Sequence, residues 1–227
     1  MKIIDIYNML ENNAIDVSFK FFVDVIVKKF LNNDDLIFVE VGALHANDSL
    51  YFKNKYPNSN VHAIEGLPEN YERFMKNLTN INTYNTCIAS YNGTIIYHQK
   101  NELLSGIHGI YNRGNLYGTK TLNLNCITFE TFCKNNNIDK IDVIKIDVEG
   151  ATYDVLKSIE NNILHKIKIM HIETENYPFF EGQQLDDQCE KILINNNFKC
   201  ICKTGYYPTL RGMQFDSVWI NLLYLTI

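Results

Sequence analysis

Leu36-Ile37-Phe38-Val39-Glu40-Val41-Gly42-Ala43-Leu44-His45-Ala46-Asn47-Asp48-Ser49-Leu50 is the stretch whose reading decides the fold. An apolar run of β-branched and aromatic residues is interrupted by Glu40 near its end and closed by Gly42. Asn47, Asp48 and Ser49 then supply helix-start chemistry. The pattern predicts strand, glycine turn and helix N-terminus. That geometry brings backbone N–H groups and a helix dipole to the carboxyl end of a parallel strand, where a nucleotide-like ligand binds.

The neighbours of this unit extend it. Val61–Glu65 predicts a second strand, and Gly66-Leu67-Pro68 leads into a helix over about 68–78, with Pro68 suited to a first turn. A third strand is expected at roughly 83–88. Asn92-Gly93 signals a hairpin between Ala89 and Thr94–His98. Residues 99–120 are the least regular part and hold several glycines, a composition common in lids and binding loops. Thr121–Cys126 is expected as a short strand and Ile127–Asn136 as a helix. Ile141–Asp147 predicts a buried strand ending in Asp147, Glu149 and Gly150, with a helix over 151–160. Strand Ile167–Glu173, a helix near 184–195 and strands Phe198–Lys203 and Ser217–Thr226 complete the chain. Upstream, apolar residues from Ile3 to Phe30 recur at helical spacing, with Asn12 and Asn13 breaking the run into two helices. Alternating strands and helices predict an α/β fold with a doubly wound, mostly parallel sheet covered on both faces. No repeat or linker divides the chain, so one domain is expected over 1–227, with N-terminal helices to about residue 35.

The bulk properties narrow the function. Of 227 residues, 46% are hydrophobic and 21% charged, with a net charge of −5. No long basic run is present, which argues against a nucleic-acid partner. Asp5 and Glu11 break any signal-peptide core, and nowhere do ~18 apolar residues run uninterrupted, so no membrane span is expected. The six cysteines form no CxxC pair and suit a reducing, cytoplasmic location.

Glu40, Glu65, Asp147, Glu149, His171 and Glu173 all fall at carboxyl ends of expected strands, which a doubly wound sheet gathers at one crevice. Burying so many acids costs several kcal/mol unless each finds a partner. A ligand rich in hydroxyls and amines supplies such partners. Glu65 lies about twenty residues after the glycine turn, where an acid accepts hydrogen bonds from ribose hydroxyls. His171 and Glu173 share a strand face under period-two alternation. They could act as a base and its orienting carboxylate. The carboxylates with His171 could instead hold a divalent metal that acidifies the hydroxyl, with Asp147 and Glu173 as possible ligands.

Five stretches carry a resemblance to a known family. Phe38–Ala43, then Asp48–Phe52, then Ala63–Tyr71 resemble the first two motifs of FkbM-type methyltransferases. Ile144–Ala151 followed by Asp154–Lys157 is similar to the family's most characteristic motif. The resemblance runs from about residue 36 to the C-terminus. It implies a class I, Rossmann-like methyltransferase fold with a seven-stranded sheet whose last strand is antiparallel. It also implies S-adenosylmethionine (SAM) as cofactor and O-methylation of a sugar or glycosylated small-molecule acceptor. By that analogy Glu40 and the turn from Gly42 and Ala43 to Ala46 face the methionine part of SAM. Asp48 and Gly66 belong to the same cofactor set, Glu65 holds the ribose, and Ile88 to Ser90 line the adenine. Asp147 sits near the methionine amine and the acceptor. Catalytic candidates are Asp147, Glu149, His171 and Glu173.

One departure stands out. Family members often have Asn-Asp-Gly where this chain has Leu44-His45-Ala46. It motivates an alternative, a decayed methyltransferase fold kept as a binding module. A nicotinamide-dependent oxidoreductase is a further alternative, weakened because the turn lacks the second glycine of G-x-G-x-x-G.

Overall fold

The computed structural model describes residues 18–31, 33–100, 106–112, 114, 119–209 and 212–225. The expected helix over Ile3–Leu10 and its break at Asn12 and Asn13 lie outside the described residues, as does part of the irregular 99–120 stretch.

The main sheet has seven strands: β1 (Ile37–Val41), β2 (Asn60–Glu65), β3 (Asn82–Asn85), β7 (Ile141–Ile146), β8 (Ile167–Glu175), β9 (Phe198–Thr209) and β10 (Gly212–Asn221). Their order across the sheet is β3-β2-β1-β7-β8-β10-β9. Neighbours from β3 to β8 run parallel, and β10 inserts antiparallel between β8 and β9. The chain starts in the middle, winds outward to β3, then crosses back to the other side of β1. Strand order therefore reverses between β1 and β7, and a crevice opens at their carboxyl ends.

Period-two alternation builds two cores. One face carries Phe38, Val143, Ile169, Val218 and Ile220. They are covered by helix α1, which runs as α-helix over Phe19–Phe21, π-helix over Phe22–Val27 and α-helix over Lys28–Phe30, and by α2 (Asn47–Lys55). Phe38 stacks on Phe52 of α2 with ring centroids 4.4 Å apart. The other face carries Val39, Val41, Ile144, Ile146, Met170, Ile172 and Trp219. Against it pack α4 (Phe129–Asn135), α5 (Thr152–Lys157) and α7 (Asp186–Asn195). Helix α3 (Pro68–Asn70, continuing as π-helix over Tyr71–Met75) follows β2, and α6 (Asn161–Leu164) precedes β8.

Four local expectations are corrected. The third strand does not run to 88. Asn85 turns its side chain back to the Glu65 carbonyl, and Cys87–Ile88 leaves as β4 to join a second sheet. That sheet has the order β4-β6-β5, with β5 at Gly93–Lys100 and β6 at Thr119–Ile127. The Asn92-Gly93 hairpin is thus not formed, because β6 inserts between its two arms. Asn92 instead accepts from Thr128 N–H and donates to Thr131 Oγ1. The helix over 151–160 stops at Lys157, because Ser158 is used to cap α4: its Oγ and carbonyl accept from Phe129 and Glu130 N–H. The last strand spans 212–221, five residues earlier than expected. No helix among the described residues is long and apolar enough to cross a membrane.

Candidate active site

The crevice starts at Gly42, whose φ is +87°. A Cβ there would lie 1.8 Å from the Asp147 carbonyl oxygen, so only glycine lets β1 and β7 end side by side. Gly42 and Ala43 N–H both donate to the Ile64 carbonyl, at 3.0 and 2.9 Å. The turn is thereby clamped to β2. Leu44 N–H donates to Glu65 Oε2 and Leu67 N–H to Oε1, each at 2.8 Å. Burial pushes the Glu65 carboxyl up, while these two N–H groups pull it down. An ionised carboxylate has about four acceptor positions, so Glu65 keeps capacity for hydroxyl donors.

The helix start differs from its expected form. Ala46 occupies the N-cap position of α2 with no side-chain cap. The capping carboxylate comes from the strand: Glu40 Oε2 accepts from Ser49 N–H at 3.1 Å and also from Ser49 Oγ. Leu44 and Ala46 both have positive φ, as does Glu149 on the far side of the crevice. The other described non-glycine residues with positive φ are Asn137 and Asn197, a residue type that adopts this conformation readily. The strained backbone is therefore concentrated at the crevice. The Leu44-His45-Ala46 departure places two residues in left-handed conformations that Asn and Gly occupy at lower cost.

On the β2 side the crevice is lined by Ile64, Glu65, Gly66, Thr86, Cys87 and Ile88. Residues 106–112 form a strap along it. His98 N–H donates to the Gly109 carbonyl at 2.7 Å, Glu181 N–H donates to the Asn112 carbonyl at 3.0 Å, and Tyr111 Oη donates to Asp154 at 2.7 Å. His108, Gly109 and Ile110 of the strap face the same space as Glu65 and Ile88. Ser90 is exposed and lies outside this lining, because the chain turns outward after Ala89.

On the β7 side, adjacent strands align polar residues in rows. Glu40 pairs across the sheet with Lys145, and Lys145 with His171. Lys145 is the residue the sequence reading passed over. Its Nζ lies 2.8 Å from Asp48, 3.1 Å from Asp147 and 3.6 Å from Glu40. Burial alone would depress this amine, but Asp147, Glu40 and Asp48 outweigh burial and hold it well above its ordinary value. Asp48 and Glu40 thus serve first to seat Lys145.

One row further out, Asp147 follows β7, and Glu173 pairs with Asp216 of β10. One carboxylate oxygen each from Asp147, Glu149 and Glu173 lies within 4.8 Å of the others. Burial, then Asp147 and further acids, raises Glu173 well above the carboxylate range. Asp216, also unforeseen, is pushed up to about 6 by burial and by Asp147. His171 does not join this group. It is buried one row below, with its ring 5.8 Å from that of Phe19 and 5.2 Å from that of Phe22. Glu173 thus clusters with Asp147 and Glu149, and His171, on the same strand face, is not part of that cluster. Phe180 is buried against Gly150, while Tyr177 and Phe179 remain half-exposed.

Burial raises Glu40 to about 7 from 4.5, against the pull of Lys145. A carboxyl whose folded value is raised stabilises the fold fully below about 4.5 and loses that contribution as pH rises through about 7. Urea midpoints of the protein should therefore fall between about pH 5 and pH 8, and Glu40→Gln should reduce that fall. An unchanged slope in the variant would contradict the assignment.

The sequence matches the Methyltransferase FkbM domain over residues 40–200. No curated protein sequence matches significantly. Among solved structures, the chain is similar to TrmK of M. capricolum in complex with S-adenosylhomocysteine (15% identity, 89% of this chain and 68% of that one, TM-score 0.46). It is also similar to magnesium protoporphyrin IX methyltransferase (ChlM) of Synechocystis PCC 6803 with bound SAM (10% identity, 96% and 90% covered, TM-score 0.47). A third is precorrin-6y C5,15-methyltransferase of Geobacter metallireducens GS-15 (12% identity, 87% and 84% covered, TM-score 0.44). With strand order, glycine turn and carboxylate-ended β7 in place, and the family's domain matched over more than half of this chain, the chain belongs to the FkbM family of SAM-dependent methyltransferases.

Proposed function

We propose that the chain, working as one domain, transfers the methyl group of SAM to a hydroxyl of a sugar or glycosylated small molecule. The observation that carries this reading is the convergence of Asp147, Glu149 and Glu173 beside the Gly42 turn. A cluster of hydrogen-bond acceptors with few donors suits an acceptor that brings its own hydroxyl protons. Strained backbone at Leu44, Ala46 and Glu149 supports a working site, since such strain persists where function requires it. The six cysteines, all unpaired, fit a reducing cytoplasm.

The crevice chemistry fits the cofactor. Gly42, Ala43, Gly66 and Ile88 would border it, with Glu65 accepting from the ribose hydroxyls. Bound SAM supplies an electrophilic methyl group on a sulfonium. The chain's part is to hold the acceptor in line and take its proton, and such positioning supplies much of the rate. As the acceptor oxygen gains the methyl group, the hydroxyl proton passes to the Asp147–Glu149–Glu173 trio. Glu173 is the most buried of the three, and burial with the neighbouring acids holds its carboxyl well above the usual carboxylate range. Lys145 acts from behind as a positioning residue, holding Asp147 in a 3.1 Å ion pair.

The test is incubation of the purified protein with methyl-tritiated SAM and a panel of sugars, nucleotide sugars and glycosides. Label should enter the sugar fraction and survive alkali, as an ether does. Label released by alkali as methanol, or recovered on an amine, would overturn the reading.

A further inference from the structure

We propose that Asp147, Glu149 and Glu173 bind one hard divalent cation, such as Mg2+, Mn2+ or Ca2+, at the acceptor end of the crevice. One oxygen from each carboxylate lies within 4.8 Å of the other two, so a single ion can reach all three at the roughly 2.0–2.6 Å distances such cations adopt. An all-oxygen donor set selects hard cations over thiophilic ones.

A second observation separates this trio from an ordinary acidic surface. Glu173 is 9% exposed, and its Oε1 is buried with no hydrogen-bond partner among the described residues. A buried acceptor left this way costs about 1–3 kcal/mol, and more when charged. The charges that act most strongly on Glu173 are acidic: Asp147, Glu149, Glu175 and Asp216. Of the trio, Lys145 pairs with Asp147, and it is shared there with Asp48 and Glu40; it makes no ion pair with Glu173. Among the described residues this amine is thus shared between the trio and two other acids, and a divalent ion would supply further counter-charge.

Asp147 and Glu149 are half-buried while Glu173 is buried, so the trio is closed from below and open towards the crevice. That opening suits an acceptor with two neighbouring hydroxyls, whose oxygens match the preference of a hard cation. Each carboxylate would ligate through one oxygen. The link to methyl transfer rests on the proposed function above; binding of the cation does not.

The probe is Mn2+ alone, titrated into the metal-free protein and followed by loss of the free-ion electron paramagnetic resonance signal. The expected result is a single site below about 1 mM, weakened on the order of tenfold or more by Glu173→Gln and by Asp147→Asn. Because both substitutions are near-isosteric, melting of each variant checks its fold. Mn2+ should raise the melting temperature of the wild type more than that of Glu173→Gln. Absence of binding at about 1 mM, or binding that neither substitution alters, would overturn the site. Calorimetry with S-adenosylhomocysteine, run separately, distinguishes the two readings. Cofactor binding without a Mn2+ site removes the cation and leaves the methyltransferase chemistry, whereas a Glu173-dependent Mn2+ site without cofactor binding does the reverse.

Discussion

Gly42→Ala is expected to cost at least about 4 kcal/mol of stability, enough to leave much of the chain unfolded. The added methyl would sit 1.8 Å from the Asp147 carbonyl oxygen and 2.8 Å from its carbon, both backbone atoms at a strand end. Neither can move without breaking the Asp147 N–H to Val41 carbonyl bond that continues the β1–β7 ladder. The φ of +87° adds strain for any residue with a Cβ. Ala43→Gly, one position on, removes a buried methyl and should cost only about 1 kcal/mol. Urea denaturation of the two variants makes the comparison. A Gly42→Ala protein within about 1 kcal/mol of wild type would mean that the β1 and β7 ends do not meet this way.

Lys145→Met should be the other severe substitution, costing about 3–5 kcal/mol near neutral pH. Lys145 is the cation shared by Asp48, Asp147 and Glu40, and Glu40 is only 2% exposed. Without the amine these carboxylates repel one another, and Glu40 can avoid burying its charge only by taking up a proton. The removal therefore raises carboxyl values in the folded state, and raised carboxyls favour the fold at low pH. The gap between variant and wild type should be largest near pH 8 and shrink towards pH 5. Adding Glu40→Gln should recover part of the loss, since a neutral amide still accepts from Ser49. Denaturation of the single and double variants across pH measures the coupling, and strictly additive losses would show that Lys145 and Glu40 do not interact.

The two features that organise the site were legible because local patterning determines them. An apolar run closed by Gly42 specifies a strand end whatever its neighbours are, and Ile141–Asp147 does the same for the other side of the switch point. Asp147, Glu149 and Glu173 followed from their places at strand ends. Lys145 was readable in principle: it lies two residues before Asp147 and therefore on the same strand face. The rest depended on partners distant in sequence. His171 shares a strand face with Glu173, yet α1 lays Phe19 and Phe22 over it, and nothing near His171 announces that cover. Asp216 reaches the acids only through the antiparallel register of β10 on β8. Asn92-Gly93 has sound hairpin chemistry, but β6 arrives from more than twenty residues downstream to separate the two arms. Ser90 was placed at the adenine by the family analogy, but the third strand breaks at Asn85 and Ser90 is exposed.

The departure at Leu44-His45-Ala46 also takes on a physical meaning. Leu44 and Ala46 adopt the left-handed conformations that Asn and Gly favour, so the turn keeps its shape without the residues that suit it. Leu44 still delivers its N–H to Glu65. The anchoring of the proposed ribose-binding acid is preserved, which argues for a functioning crevice over a decayed one.

The central claim is that β1, β2 and β7 deliver Gly42, Glu65 and Asp147 to one cofactor crevice. Determining where S-adenosylhomocysteine sits in a crystal of the complex tests it most directly. The account predicts the adenosine between Glu65 and Ile88, with the homocysteine sulfur turned towards Asp147 across Gly42. Density for the ligand away from Gly42 and Glu65, or a crevice that stays empty at saturating ligand, would contradict it.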